Sequence, residues 1–70
     1  MKTESNQTSK ELQTFVQGAR KAITHQIIQS GPQTMTFFAT ELFEGDEYQG
    51  LKTWLTEEQS ITCAKDWLTN

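Results

Sequence analysis

The chain has very few of the residues that staple small proteins together. Among its 70 residues it has one cysteine, one histidine and one proline. Cys63 cannot form an intrachain disulfide, and with His25 it cannot supply the four ligands of a structural zinc site. No apolar run approaches the ~18 residues that span a bilayer, and residues 1–8 lack the apolar core of a signal peptide. We therefore expect a soluble protein of a reducing compartment, the cytoplasm, with no metal or cofactor.

The short length limits how the chain can be stabilised. Seventy residues form one domain at most, and we predict a polar, disordered tail over residues 1–8 and a single domain over residues 9–70. A core of this size barely offsets the conformational entropy lost on folding. Without a disulfide or a metal, association with a second copy or with another protein is the remaining source of stability.

The net charge of −3 is unevenly distributed. Residues 1–35 have four basic and two acidic side chains, whereas residues 36–70 have two basic and seven acidic ones. An acidic second half disfavours binding to nucleic acid, which requires clustered lysine and arginine. It suits either a basic partner surface or an ordinary solvated face.

The first half has the spacing of an amphipathic helix. Thr8 and Glu11 have the spacing of a capping box, and Gly31-Pro32 is a typical stop. Between them, apolar residues recur at steps of three and four, which predicts one long helix over about residues 9–30. The members of this stripe are Leu12, Phe15, Val16, Ala19, Ala22, Ile23 and Ile27.

The second half is predicted to contain three shorter helices. One follows the apolar residues between Met35 and Phe43, although Thr34–Phe38 is also a candidate strand, since threonine and phenylalanine favour strands. A second capping box at Thr56–Gln59 separates the other two, at about residues 46–55 and 57–69. Segments 48–56 and 61–69 also align without gaps, each with Lys, Trp, Leu and Thr in matching places. The predicted fold is all-α, a small bundle of one long and about three short helices.

The sequence contains no recognisable catalytic or metal-binding pattern. Nucleophilic catalysis needs an activated hydroxyl or thiol beside a base, and no spacing brings Cys63 and His25 together. The chain lacks a glycine-rich phosphate loop, and its carboxylates fall in an exposed cluster. We therefore predict that the protein is not an enzyme.

Several large apolar residues do not fit the predicted stripes and are candidate contacts with a partner. Ile28, Phe37, Trp54 and Trp67 are predicted as anchors, because aromatic and aliphatic anchors supply much of the energy of protein interfaces. A neighbouring acidic cluster would set charge complementarity; its members are Glu41, Glu44, Asp46 and Glu47. Gly18 and Ala22, with Ile28, are predicted to allow close helix–helix approach in a homodimer.

These observations predict a small protein-binding or regulatory protein. Its charge fits an inhibitor of a larger protein that handles nucleic acid, of the kind that mobile elements encode. The alternative is a helix-turn-helix DNA-binding regulator, which the last predicted helix disfavours because it has one lysine and no arginine. The sequence does not identify the partner.

Overall fold

A computed structural model describes residues 6–69 and contradicts the all-α prediction. The chain forms four strands followed by one helix: β1 (Asn6–Gln17), β2 (Arg20–Ser30), β3 (Met35–Glu44), β4 (Glu47–Trp54) and α1 (Glu57–Thr69). Each strand pairs in antiparallel fashion with its neighbour in the sequence, giving a single sheet in the order β1-β2-β3-β4. The described part of the protein is therefore a meander with one helix, and not a helical bundle.

Two glycines account for the tight hairpins. Gly18 has φ of 63° and Gly45 has φ of 60°, and no non-glycine residue among residues 6–69 has a positive φ. Each glycine begins a two-residue loop, between the paired residues Gln17 and Arg20 in one case and Glu44 and Glu47 in the other. Positive φ at the first loop position alone is the signature of a type II′ turn, whose twist matches that of the flanking strands.

The first predicted helix, residues 9–30, is the β1–β2 hairpin. Thr8 and Glu11 do not cap a helix but lie in β1, where the Glu11 carboxylate accepts a hydrogen bond from the Thr14 hydroxyl at 2.7 Å. Residues 6–8 of the predicted tail also belong to β1, and residues 1–5 lie outside the described residues. The helical spacing was misleading because both faces of these strands carry apolar residues, so the period of two is obscured.

The next two predicted helices are strands as well. Residues 35–44 form β3, so the strand that was considered for Thr34–Phe38 is essentially correct and extends further than expected. The helix predicted at 46–55 is β4. A lone strand would leave its backbone groups unsatisfied, but β3 pairs with β2 and β4 on its two sides.

The last predicted helix, residues 57–69, is confirmed as α1. Its capping box is formed as expected: the Thr56 hydroxyl accepts from the Gln59 amide at 3.1 Å, and the Gln59 side chain accepts from the Thr56 amide at 3.2 Å. Segments 48–56 and 61–69, which align in sequence, are thus mainly a strand and a helix respectively.

The helix packs against only one of the two faces of the sheet. We call the side against which α1 packs the helix face, and the other side the open face. Under α1 the helix face is built from small residues, among them Ala22, Thr24 and Thr40, all fully buried against Ala64 and Ser60 of α1. Leu42 is the large apolar side chain in this cluster, with Phe15 and Trp67 at its margin. Small side chains on both elements allow the helix to approach the sheet closely.

The helix covers only part of its face. Thirteen residues of α1 extend about 20 Å, whereas the twelve residues of β1 extend about 40 Å. Among the residues that the structure describes, no helix has the length and apolar character required to cross a membrane.

Candidate protein-binding surfaces

The residues predicted as partner contacts are divided between several places. Trp54 and Trp67 lie together on the helix side, where both line one cavity of about 260 Å³. Phe37 and Glu41 lie on the open face, and Ile28 is on the helix face. The rest of the acidic cluster is at the β3–β4 hairpin and consists of Glu44, Asp46 and Glu47.

Trp54 is the centre of a groove between β4 and α1. It lines three adjoining cavities, of about 260, 300 and 320 Å³. We call this depression the Trp54 groove. Its floor includes Leu42, its strand wall includes Lys52, and its helix wall is formed by Gln59, Cys63 and Asp66.

The indole nitrogen of Trp54 has no partner among the described residues. Its Nε1 atom is buried from water and makes no hydrogen bond. By contrast, the Nε1 atom of Trp67 donates to the Phe43 carbonyl at 3.1 Å. A buried donor without an acceptor costs about 1–3 kcal/mol, which an acceptor brought by a ligand would recover.

The strand beside the groove is an edge of the sheet. β4 pairs with β3 on one side, and within residues 6–69 no strand pairs with its other side. Such an edge presents backbone amides and carbonyls to any extended chain that approaches it. The residue that follows β4, Leu55, is 81% exposed and lies at the end of the groove. An edge strand, an unpaired indole donor and an exposed leucine therefore adjoin one another.

Trp67 is held in place by the sheet. The Arg20 guanidinium lies 4.3 Å from the centre of its ring, and the same side chain donates to the Trp67 carbonyl at 3.0 Å. Arg20 also pairs with Glu44 at 3.8 Å. The predicted anchor Trp67 therefore serves mainly to attach the end of α1, and Trp54 has the freer position.

The open face holds most of the large apolar side chains. Four of the five exposed large hydrophobic residues lie on it: Val16 (65% exposed), Met35 (58%), Tyr48 (55%) and Leu51 (46%). They border a half-buried to buried group on the two central strands, which consists of Ile23, Ile27, Phe37, Ala39 and Phe43. None of the described secondary-structure elements covers this face.

A polar network crosses the middle of the open face. His25 Nε2 lies 2.7 Å from a Glu41 carboxylate oxygen. Partial burial raises the pKa of the Tyr48 phenol above its ordinary value of 10.0, and the neighbouring Glu41 raises it further by its charge and by hydrogen bonding to the protonated phenol. Lys21 lies over the Phe43 ring at 4.7 Å. The charged groups within the face therefore have partners there.

The proposed basis of helix–helix association does not exist. Gly18 is in the β1–β2 turn, and Ala22 is fully buried beneath α1. Their helical spacing was the reason for linking them, and these residues lie in a hairpin. Self-association therefore has to be argued from another surface.

Catalytic and metal-binding groups are not assembled in the described part of the chain. His25 is on the open face, whereas Cys63 lies on α1, so the sheet separates them. Within residues 6–69 no three histidine, cysteine or acidic side chains are placed to share a metal ion.

Sequence reasoning missed Tyr48, Leu51 and Leu55 as surface residues. Within the helix predicted at residues 46–55 these residues would lie on an apolar stripe. Alternation gives no clear signal in β4, because Lys52 and Trp54 share one face and Leu51 and Thr53 the other.

Comparisons with known proteins identify no relative. No protein-family model, no curated protein and no solved structure matches the chain.

Proposed function

We propose that this protein is a non-enzymatic, cytoplasmic regulator that binds an extended segment of another protein along β4 and in the Trp54 groove. In this mode the segment adds to the sheet as a further strand, and its side chains enter the groove. The unpaired Trp54 indole donor carries the proposal, because it is buried at the meeting point of three cavities. A backbone carbonyl of the added strand would be its acceptor.

The charge of the groove indicates the chemistry of the segment. Glu58 and Asp66 of α1 line the cavity of about 300 Å³, and Asp66 and Lys52 line the adjoining cavity of about 260 Å³. A lysine or arginine of the partner would pair with one of these carboxylates and could also contact the face of Trp54. A basic segment of this kind is typical of proteins that handle nucleic acid, which supports the role of an inhibitor of such a protein, as mobile elements encode. Nucleic acid itself is disfavoured by the same carboxylates.

A helix-turn-helix regulator is not a second candidate. That motif needs two helices in tandem, and residues 6–69 contain one. The prediction of a DNA-reading helix depended on the helix assigned to residues 46–55, which is β4.

The test uses the two indole N–H resonances of the protein. Peptides are selected from a random library on the immobilised chain and then titrated into ¹⁵N-labelled protein. We expect the Trp54 indole resonance to move downfield as it gains an acceptor, while that of Trp67, which already donates to Phe43, moves little. Trp54→Phe keeps an aromatic ring but removes the donor, and should weaken binding about tenfold.

Matched variants distinguish the groove from the rest of the surface. Leu55→Lys should weaken binding of the basic peptides, whereas Val16→Lys, exposed on β1 at the other edge of the sheet, should leave it unchanged. Peptides with methyl groups on alternate amides should bind only when their free amides face β4. Selected peptides that bind Trp54→Phe and Leu55→Lys as well as the wild type would refute the proposal.

A further inference from the structure

A monomer is most stable when its large apolar side chains lie on the covered face of the sheet. In this protein the face without a helix has more of them. Beneath α1 the sheet presents alanine and threonine, with Leu42 as the one large side chain that is buried there. More of the sheet's large apolar residues lie on the face that no described element covers: Val16, Ile23, Ile27, Met35, Phe37, Phe43, Tyr48 and Leu51. Burial of large side chains contributes most to stability, and all of these except Ile27 remain partly or largely exposed.

We propose that two copies of this chain pack their open faces together, forming a sandwich of two sheets with the helices outside. Stacked sheets lie about 10 Å apart, and their inner side chains interdigitate to form a core. The inference does not depend on the Trp54 groove, whose main part lies between β4 and α1 and which meets the open face only at its Leu55 end, beside Met35 and Phe37.

The area of the open face fits a stable dimer. Four strands spaced about 4.8 Å apart, with about five outward residues per strand, give a plane of roughly 600 Å². Protruding side chains make the accessible area larger than the plane, and a standard interface buries about 800 Å² on each partner. An interface of standard size would therefore use nearly the whole open face, and the face is large enough to supply it.

A second copy is the occupant best matched to this face. The chain has 70 residues and one cysteine, so neither disulfides nor a large core can compensate for an uncovered apolar sheet. A copy of the chain is present wherever the chain is folded, and a twofold axis uses the same patch twice. An unrelated partner would leave the protein without this cover until the two met.

The charged groups in the face are compatible with burial. Glu41 is paired with His25 at 2.7 Å and lies close enough to Tyr48 to raise the pKa of its phenol, and Lys21 lies over Phe43. Burying an isolated charge is costly, whereas these groups take their partners with them into the interface. Glu11 is exposed on the edge strand β1, so it would be at the rim.

A dimer of this form would expose two identical Trp54 grooves. They would lie on opposite outer sides, so a partner with two basic segments could engage both and gain avidity without any additional contact. Dimerisation would then increase the effect of the binding proposed above.

The first test is sedimentation equilibrium on the full chain. We expect twice the chain mass of 8.0 kDa at micromolar concentration. Leu51→Lys and Val16→Lys, at exposed positions of the open face, should each raise the dissociation constant at least tenfold. Thr69→Lys adds the same charge at an exposed position of α1, away from this face, and should leave the dimer intact. A wild-type monomer at millimolar concentration, or a dimer unaffected by both open-face variants, would overturn the proposal.

The second test needs no substitution, and circular dichroism recorded at each pH verifies that the chain is still folded. Tyr48 is the single tyrosine, so absorbance of tyrosinate reports this position alone. If a second copy covers the face, the phenol should ionise at higher pH when the protein is concentrated than when it is dilute. A titration curve independent of concentration from well below to well above the dissociation constant would contradict the dimer.

Labelled oligo(dT) at low salt is added in parallel, because exposed aromatic residues on a sheet can also stack nucleic-acid bases. Binding that competes with self-association would assign the face to nucleic acid instead.

Discussion

The Thr40 hydroxyl donates a hydrogen bond to the Ser60 carbonyl across 2.8 Å, joining the middle of the sheet to α1. Both residues are fully buried. Thr40→Val keeps the shape of the side chain but removes the donor, and should lower the free energy of unfolding by about 1 kcal/mol. Thr36→Val is the matched control, because Thr36 is exposed on the same strand and should change stability by less than about 0.5 kcal/mol. Urea unfolding at one fixed protein concentration measures both variants, and equal effects would show that the buried bond contributes nothing.

Close packing of α1 on the sheet predicts intolerance of larger side chains at Ala64. This residue is fully buried against Ala22 and Leu42. Ala64→Leu should therefore destabilise the protein by about 1–3 kcal/mol, even though leucine favours helices. Lys65→Leu, one position along and exposed, should have an effect within about 0.5 kcal/mol. A stabilising Ala64→Leu, measured by thermal unfolding, would mean that the helix has room to move away from the sheet.

The raised pKa of Tyr48 predicts a loss of stability at alkaline pH. Below pH 10 the phenol is protonated in both the folded and the unfolded chain. As the pH rises above 10 the unfolded chain loses its proton first, so the free energy of unfolding falls until the folded phenol ionises too. Tyr48→Phe should remove this dependence, which unfolding curves collected between pH 9 and 12 would reveal.

Glu41 is the second cause of that raised pKa, after partial burial. Glu41→Gln should therefore move the tyrosinate titration back toward 10 without fully restoring it. Glu44→Gln removes a carboxylate that pairs with Arg20 on the helix side and is the control for charge alone. Equal displacement of the titration by the two variants would show that the effect is not specific to Glu41.

The type II′ turn at Gly45 should tolerate only residues that accept a positive φ. A Cβ atom built at this position would meet no atom within 4 Å, but φ is +60°. An L-alanine at residue 45 should thus cost about 1 kcal/mol through its backbone alone, whereas D-alanine, which favours positive φ, should not. A chain of 70 residues is accessible to chemical synthesis, so both variants can be compared by thermal unfolding. Equal destabilisation would refute a purely conformational role for this glycine.

The sequence correctly predicted α1 but not the sheet, and the reasons are physical. Thr56 and Gln59 form a local cap, so their signal does not depend on the rest of the fold. Strands instead depend on partners distant in sequence, and apolar residues on both faces of β1 and β2 imitated a helical stripe. A better signal was present in Gly45-Asp46, a loop pair typical of tight hairpins between two strands.

The prediction of helices in place of strands also affected which residues were expected to form the candidate site. Trp54 was singled out because it fitted no predicted stripe, but its unpaired donor could not be foreseen without the packing of α1. Segments 48–56 and 61–69 share Lys, Trp, Leu and Thr in matching places, yet one is mainly strand and the other mainly helix. Sheet pairing with β3 therefore overrides a local pattern that is compatible with either conformation.

The meander order of the strands also has a consequence for how the chain folds. Because every strand pairs only with its neighbour in sequence, each pairing closes a loop of a few residues and costs little entropy. The sheet can consequently grow hairpin by hairpin, faster than a sheet of the same size whose strands pair over long distances. α1 docks across β2 and β3 and needs both in place. We therefore expect helix docking to be a late folding step, with Thr40 and Ala64 variants mainly accelerating unfolding and turn variants at Gly45 mainly slowing folding.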